Sequence, residues 1–170
     1  MEKNSLIIRA ACREDVTTIM ALIEALAAYE KLSDAVTGNA EMLEKHLFTE
    51  PPLAEVIVGE WEGKVVGFAL FFTNYSTFLT QPGIYLEDLF VLSDYRGKGV
   101  GRALLSYVAK IALARGAGRL EWSVLDWNQS AIGFYERIGA NVLPDWRLCR
   151  VTGGAIAQLA QKEKENDNLD

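Results

Sequence analysis

Hydrophobic and polar residues alternate along the first third of the chain in a pattern that predicts a strand followed by two helices. Residues 6–10 alternate like a short strand, and residues 14–29 carry apolar side chains at helical spacing. A second helix is expected over 39–48. It should end before Pro51 and Pro52, because proline cannot continue helical hydrogen bonding.

The middle of the chain is rich in β-branched and aromatic residues and predicts antiparallel strands. Two such runs, 54–61 and 64–73, are separated by a Glu-Gly pair that suits a tight hairpin turn. A Pro-Gly pair at 82–83 is expected to break the chain before a third strand over 84–91. These strands should form the centre of a sheet.

The remainder predicts alternating helices and strands. The expected elements are a helix from Val100 to the glycines at 116–118, a strand over 120–125, a helix over 128–138 and a last strand over 146–151. The order favours an α/β (α+β) fold with a mixed sheet and helices on both faces. We expect one domain over residues 1–155 and a charged, disordered tail over 156–170.

Composition narrows the classes of function. The chain has 170 residues, half of them hydrophobic, which suits one core, and it has no apolar run or signal-peptide core for a membrane. A cytoplasmic protein is therefore expected. Two cysteines and one histidine predict no metal site and no disulfide framework, and a net charge of −6 argues against a nucleic-acid partner.

A glycine-rich turn with three cations lies between a predicted strand and a helix. Its residues are Arg96, Gly97, Lys98, Gly99, Val100, Gly101 and Arg102. Unpaired N–H groups and the helix dipole favour an anion at such a position. A polyphosphate ligand would explain why the local charge opposes the global charge, although such a loop is often only a flexible turn.

Two better-known phosphate loops do not fit this turn. No Gly-Lys-Ser or Gly-Lys-Thr closes a P-loop, and the third glycine of a dinucleotide fingerprint is replaced by Arg102. ATP hydrolysis and dinucleotide binding are therefore not expected.

Linked motifs in the second half of the chain resemble the GNAT superfamily of N-acetyltransferases. They are Arg96-x-x-Gly99-x-Gly101 after a hydrophobic strand, then Asn128 and Phe134-Tyr135. More narrowly, the stretches 85–88, 93–97, 124–129 and 146–148, with Tyr29-Glu30, are similar to the spermidine/spermine and thialysine acetyltransferases. The polyamine enzymes carry Asp-Pro-Trp where this chain reads Tyr75-Ser76-Thr77-Phe78, which favours the thialysine branch.

The resemblance implies a mostly antiparallel GNAT sheet of about six to seven strands, a homodimer and acetyl-CoA as cosubstrate, without a metal. The implied acetyl-CoA site comprises Leu89, Phe90, Val91, the turn from Arg96 to Arg102, Asn128, Ala131 and Tyr135. Within it, the turn would bind the pyrophosphate, Leu89 and Val91 would line the pantetheine channel, and Asn128 would bond the pantetheine arm.

The resemblance also implies roles for acid–base residues and an acceptor site. Glu87 is the candidate base for the ammonium group, and Tyr135 is the candidate acid for the CoA thiolate. The implied acceptor site comprises Tyr29, Glu30, Glu87, Asp88, Asp126 and Trp127, since carboxylates and aromatic faces attract cations. Without the resemblance, a Glu-Asp pair in a strand is more often a surface salt-bridge patch, and such a tyrosine is more often a core residue.

The expected activity is direct acetylation of a small cationic amine, either a thialysine- or lysine-like amino acid or a diamine. Polyamines are the second acceptor class that the sequence allows. Because a fold does not fix function, the sequence is also compatible with a CoA-binding or interaction module without turnover, and with a protein or peptide N-terminal acetyltransferase.

Overall fold

A single five-stranded sheet organises the computed structural model, which describes residues 5–161. Its strands are β1 (Leu6–Ala10), β2 (Glu55–Trp61), β3 (Lys64–Ser76), β4 (Gln81–Val91) and β5 (Leu120–Trp122). They lie side by side in chain order. The first four pair antiparallel, and β4 pairs with β5 in parallel. The mixed, mostly antiparallel sheet is confirmed, but the described residues form five strands rather than six or seven.

Residues 5–161 also form five α-helices. They are α1 (Val16–Tyr29), α2 (Ala40–Leu47), α3 (Val100–Ala114), α4 (Gln129–Arg137) and α5 (Gly154–Gln161). The chain divides into two compact units after Ser123, so that unit 1 holds the sheet with α1 to α3, and unit 2 holds α4 and α5.

Helices α1 and α3 cover opposite faces of the sheet in unit 1. Ile19 and Leu22 of α1 belong to one buried cluster with Val58 and Phe68, whose side chains point from β2 and β3 to the same face. The neighbouring positions, Gly59 and Gly67, point the other way, and a Cβ on either would meet Leu104 of α3. The prediction of helices on both faces is confirmed for this unit.

The β2–β3 hairpin closes as the sequence predicts. Trp61 pairs with Lys64 across a two-residue turn in which Glu62 and Gly63 have φ angles of 51° and 81°. Positive φ at both positions matches the twist of the flanking strands and is easily adopted by glycine.

The expected break at Pro82-Gly83 is wrong, because both residues lie inside β4. Proline lacks only an N–H donor, and its carbonyl here accepts from the N–H of Gly118. A Cβ on Gly83 would meet the side-chain oxygen of Asn74, so a larger residue there would require that side chain to move. The pair therefore serves close packing rather than a turn.

The strand expected over 146–151 is also wrong. Residues 146–151 form neither helix nor strand, and the described part of unit 2, residues 124–161, contains no strand that could pair with them. Without a neighbouring strand, the backbone N–H and C=O groups of this segment have no partners for the hydrogen bonds of a sheet. Residues 156–161 of the expected tail lie in α5, whereas 162–170 lie outside the described residues. The single domain over 1–155 stays a prediction.

No helix within residues 5–161 is long and apolar enough to cross a membrane. In the same part of the chain, no group of three or more His, Cys, Asp or Glu residues is arranged to hold a metal ion.

Candidate active site

The middle of β4 is where the hydrogen bonding of the sheet changes. The parallel ladder with β5 covers only Ile84 to Leu86 and ends at Trp122. On the other edge, Leu70 pairs with Asp88 and Phe71 with Leu86, so Glu87 is the extra residue of a β-bulge. The bulge re-aims Glu87, whereas β4 stays paired with β3 as far as Val91. Beyond Leu86, the described strands leave β4 unpaired only on the side of β5.

Glu87 and Asp88 occupy this opening with different surroundings. Glu87 is exposed, whereas Asp88 is half-buried. Asp88 lies two residues before Phe90, which belongs to the cluster under α1, so Asp88 points to the face that α1 covers. The bulge therefore leaves one carboxylate in solvent and turns the other towards α1.

The pKa of Asp88 is raised to about 6, mainly by burial and in addition by the neighbouring charges of Glu87 and Glu30. Burial also raises the pKa of Glu30. The structure thus brings three predicted acceptor-site carboxylates into one electrostatic cluster in unit 1. We call Glu30, Glu87 and Asp88 the acidic cluster.

The end of α1 places Tyr29 and Glu30 by backbone hydrogen bonds. The N–H of Lys31 donates to Ala28, and the N–H of Leu32 donates to Ala27, which is the bond pattern of a Schellman motif. Lys31 adopts φ 62°, a conformation that usually favours glycine. Tyr29 is 39% exposed, so its ring remains accessible.

The predicted phosphate turn links β4 to α3. Gly97 and Gly99 have φ angles of 74° and 85°, and a Cβ on either would have no atom within 4 Å. The chain therefore turns on left-handed glycines whose open side a phosphate can approach. Gly99 caps α3, and Val100, the first residue of the helix, is buried as its anchor. The N–H groups of that first turn have no intrahelical acceptor.

The three cations of the turn have distinct surroundings. The Nε of Arg96 donates to the carbonyl of Val91, 2.9 Å away. The Nζ of Lys98 lies 5.4 Å and 5.0 Å from the ring centroids of Trp61 and Tyr95. Arg102 is exposed on the first turn of α3. Backbone geometry and charge both fit a polyphosphate, and sequence reasoning missed the two rings because they share no local pattern with the turn.

The predicted pantetheine residues on β4 are mostly interior. Phe90 is 6% and Val91 9% exposed, and Phe90 packs in the core cluster under α1. Leu89 is half-buried and pairs with Ala69 of β3. Phe90 points to the face that α1 covers, and Leu89 and Val91 alternate to the opposite face, on the stretch of β4 beyond its ladder with β5.

The other predicted residues belong to unit 2. Asn128 caps α4, where its Oδ1 accepts from the N–H of Ala131 at 3.2 Å. Tyr135 is half-buried two turns along, with its ring centroid 5.4 Å from that of Phe134. Asp126 and Trp127 are both exposed just before the helix. Unit 2 thus presents these residues at and near one helix.

Comparison with known proteins gives one family for this chain. Residues 17–140 match the acetyltransferase (GNAT) family. A thialysine N-epsilon-acetyltransferase from Bos taurus is 40% identical over 166 residues, which cover 91% of this chain and 97% of that protein. An L-ornithine N5-acetyltransferase, NATA1, from Arabidopsis thaliana is 55% identical over 95 residues, which cover 56% of this chain and 42% of that protein.

A solved structure supports the same assignment. An integron cassette protein from the mobile metagenome of V. cholerae superposes with a TM-score of 0.76 at 28% identity, covering 94% of this chain and 99% of that one. Its agreement extends the likeness from sequence to the arrangement of the strands and helices. The chain therefore belongs to the acetyltransferase (GNAT) family and is an N-acetyltransferase.

Proposed function

We propose that the enzyme transfers the acetyl group of acetyl-CoA to a primary amine of a small cationic acceptor, a thialysine- or lysine-like amino acid. The observation that carries the proposal is the acidic cluster, which lies where β4 opens and directly before the phosphate turn. A cationic acceptor needs such carboxylates, since an ammonium group pairs with them. The similarity to a thialysine enzyme over nearly its whole length supports the acceptor class.

Acetyl-CoA would supply an activated acetyl group as a thioester. The backbone of residues 96–102 would bind its pyrophosphate, with Arg96, Lys98 and Arg102 adding charge. Leu89, Phe90 and Val91 would border the pantetheine arm, as would Asn128, Ala131 and Tyr135 of unit 2. The unpaired edge of β4 would offer backbone N–H groups to the acetyl carbonyl as its oxygen becomes negative.

The acceptor must lose a proton before its nitrogen can attack. An alkylammonium has a pKa near 10, so a carboxylate must accept the proton directly or through water. Glu87 is the base that the sequence suggests. Asp88, whose pKa burial raises to about 6, is a proton acceptor better matched to neutral pH. We therefore propose the pair as the base, with Glu30 and Tyr29 holding the rest of the cation.

Departure of the CoA sulfur requires an acid. A phenol has a pKa near 10, so it stays protonated at neutral pH and can give its proton to a thiolate. We propose Tyr135 for this step, while Asp126 and Trp127 would contact the acceptor from unit 2. Tyr135→Phe should lower kcat by roughly 10²-fold or more if the proton transfer is rate-contributing.

The direct test is turnover with a panel of amines. Purified protein is incubated with acetyl-CoA and thialysine, lysine, ornithine, putrescine, spermidine, spermine or short peptides, and both free thiol and acetylated product are measured. We expect the highest kcat/KM with thialysine or another lysine-like amino acid. Preference for spermidine would favour a polyamine acetyltransferase, and acetyl-CoA binding without any product would favour a module that has lost turnover.

We further propose that the enzyme acts in the cytoplasm as a homodimer. The support for the dimer lies in unit 2, where Trp146 and Leu148 are 78% and 72% exposed. Large apolar side chains exposed along one segment are typical of a contact surface. A second copy of the chain is the partner that we propose for it.

A further inference from the structure

Arg96 connects the phosphate turn and the adjacent end of β4 with the end of α1, which is distant in sequence. Its guanidinium carbon lies 4.4 Å from the ring centroid of Tyr29 and 5.4 Å from that of Phe90. Its Nε donates to the carbonyl of Val91 at 2.9 Å. The side chain therefore leans back from the phosphate turn onto β4 and onto the last residue of α1.

The contact with Tyr29 also affects the position of the residue that follows it. Tyr29 ends α1, and Glu30 follows it within the Schellman motif that closes the helix. A planar guanidinium stacked on Tyr29 therefore limits where Glu30 can lie. Glu30 in turn acts electrostatically on Asp88.

We propose that Arg96 is a positioning residue for the acceptor site: it holds the end of α1, and with it Glu30, against Asp88, while remaining part of the turn that binds the cosubstrate. The proposal rests on the proposed function, which identifies the phosphate turn as the cosubstrate site and the acidic cluster as the acceptor site. One side chain then sets the geometry of both the phosphate turn and the acidic cluster.

A residue that only binds phosphate would behave differently. Such a residue needs a positive charge in the turn, which lysine also provides. A positioning residue needs the flat guanidinium and the Nε donor, which lysine lacks. The variant Arg96→Lys separates the two roles because it keeps the charge and removes the stacking geometry.

The first measurement follows the carboxyl carbon of Asp88 by ¹³C NMR during a pH titration of the protein without substrates. The charges that act on Asp88 are Glu87 on its own strand and Glu30 at the end of α1. In Arg96→Lys, a loosened α1 end moves Glu30 away and admits water, so the Asp88 titration should shift to lower pH. Lys98→Met should leave it unchanged, because Lys98 contacts Trp61 and Tyr95 instead of α1.

The second measurement is kinetic. At saturating acetyl-CoA, Arg96→Lys should raise the KM for the amine roughly threefold to tenfold, the scale of one lost cation–π contact. Lys98→Met should raise the KM for acetyl-CoA and leave the KM for the amine alone. Tyr29→Leu should reproduce the Arg96→Lys titration shift, and the double variant should add little to either single change, because both remove the same contact.

The proposal is overturned if Arg96→Lys leaves both the Asp88 titration and the KM for the amine at wild-type values, even if the KM for acetyl-CoA rises. If Arg96→Lys does not fold, as judged by circular dichroism, Tyr29→Leu decides by the same titration. If the wild type acetylates no amine, the proposed function fails. The titration still decides the position of Glu30, because it requires no turnover.

Discussion

At the scale of single residues, two aspartates of unit 1 show opposite responses to their surroundings. Asp88 is crowded by carboxylates, and its pKa is raised to about 6 by burial and by the charges of Glu87 and Glu30. Asp15 is also buried, but two nitrogens of Arg9 donate to it at 2.6 Å and 2.9 Å. These hydrogen bonds lower the pKa of Asp15 to about 2. The raised pKa suits Asp88 to accepting and releasing a proton, whereas the hydrogen bonds from Arg9 suit Asp15 to stabilising the fold.

Replacing Asp88 by Asn should stabilise the fold at neutral pH. A raised pKa means that folding prefers the protonated carboxyl, so the wild type is penalised as pH rises from about 4 through 6. Asp88→Asn should increase the free energy of unfolding at pH 7.5 by about 1–3 kcal/mol, with the gap closing below pH 4. Urea unfolding at several pH values measures it, with the exposed Asp34→Asn as the matched control. Equal free energies of unfolding for the wild type and Asp88→Asn at pH 7.5 would contradict the prediction.

Replacing Asp15 by Asn should have the opposite effect. A lowered pKa means that the ionised form stabilises the fold above pH 4, and this contribution is lost as pH falls towards 2. Asp15→Asn should lower the free energy of unfolding at pH 7 by about 1–3 kcal/mol, because it weakens the hydrogen bonds from Arg9. The loss should shrink in urea titrations below pH 4. A loss that is constant across that range would show that charge is not its source.

At the scale of elements, the end of α1 requires a positive φ angle at a position that a lysine occupies. Lys31 has φ 62° in the Schellman motif, a conformation in which a side chain costs about 1 kcal/mol. Lys31→Gly should therefore be more stable than Lys31→Ala by about 1 kcal/mol. Comparing these two variants removes the effect of losing the lysine side chain. Equal midpoints in thermal unfolding would rule out backbone strain at this position.

Elements defined by local signals could be predicted from sequence. The apolar spacing of α1 and α3 and the Glu62-Gly63 turn are local, and they lie where the sequence places them. The bulge at Glu87 could not be predicted, because it depends on the register between β3 and β4, and neither could the open edge of β4, because it depends on where β5 ends. The contact of Arg96 with Tyr29 could not be predicted either, because folding brings together two residues that no local sequence pattern links. The residues of the candidate site could be proposed from the sequence, whereas the distances and contacts between them could not.

At the scale of the whole molecule, the proposed homodimer can be tested independently of catalysis. Sedimentation velocity at micromolar concentration should give twice the mass of the 18.8 kDa chain. Replacing the exposed Trp146 and Leu148 by Ser should shift the population towards monomer, because contact surfaces of this kind depend on apolar burial. The matched control is Leu113→Ser, an equally exposed apolar residue on α3. A monomer in the wild type would exclude the dimer.

The two glycines beneath α3 have a thermodynamic consequence for ligand binding. A Cβ on Gly59 would come within 2.9 Å of the Val100 side chain, and one on Gly67 within 3.4 Å of the Leu104 side chain, so the side chains of α3 pack directly on the backbone of the sheet. The first turn of α3 is thereby fixed before any anion arrives. Little conformational entropy remains to be lost at that turn when the cosubstrate binds, and more of the intrinsic interaction energy appears as measured affinity.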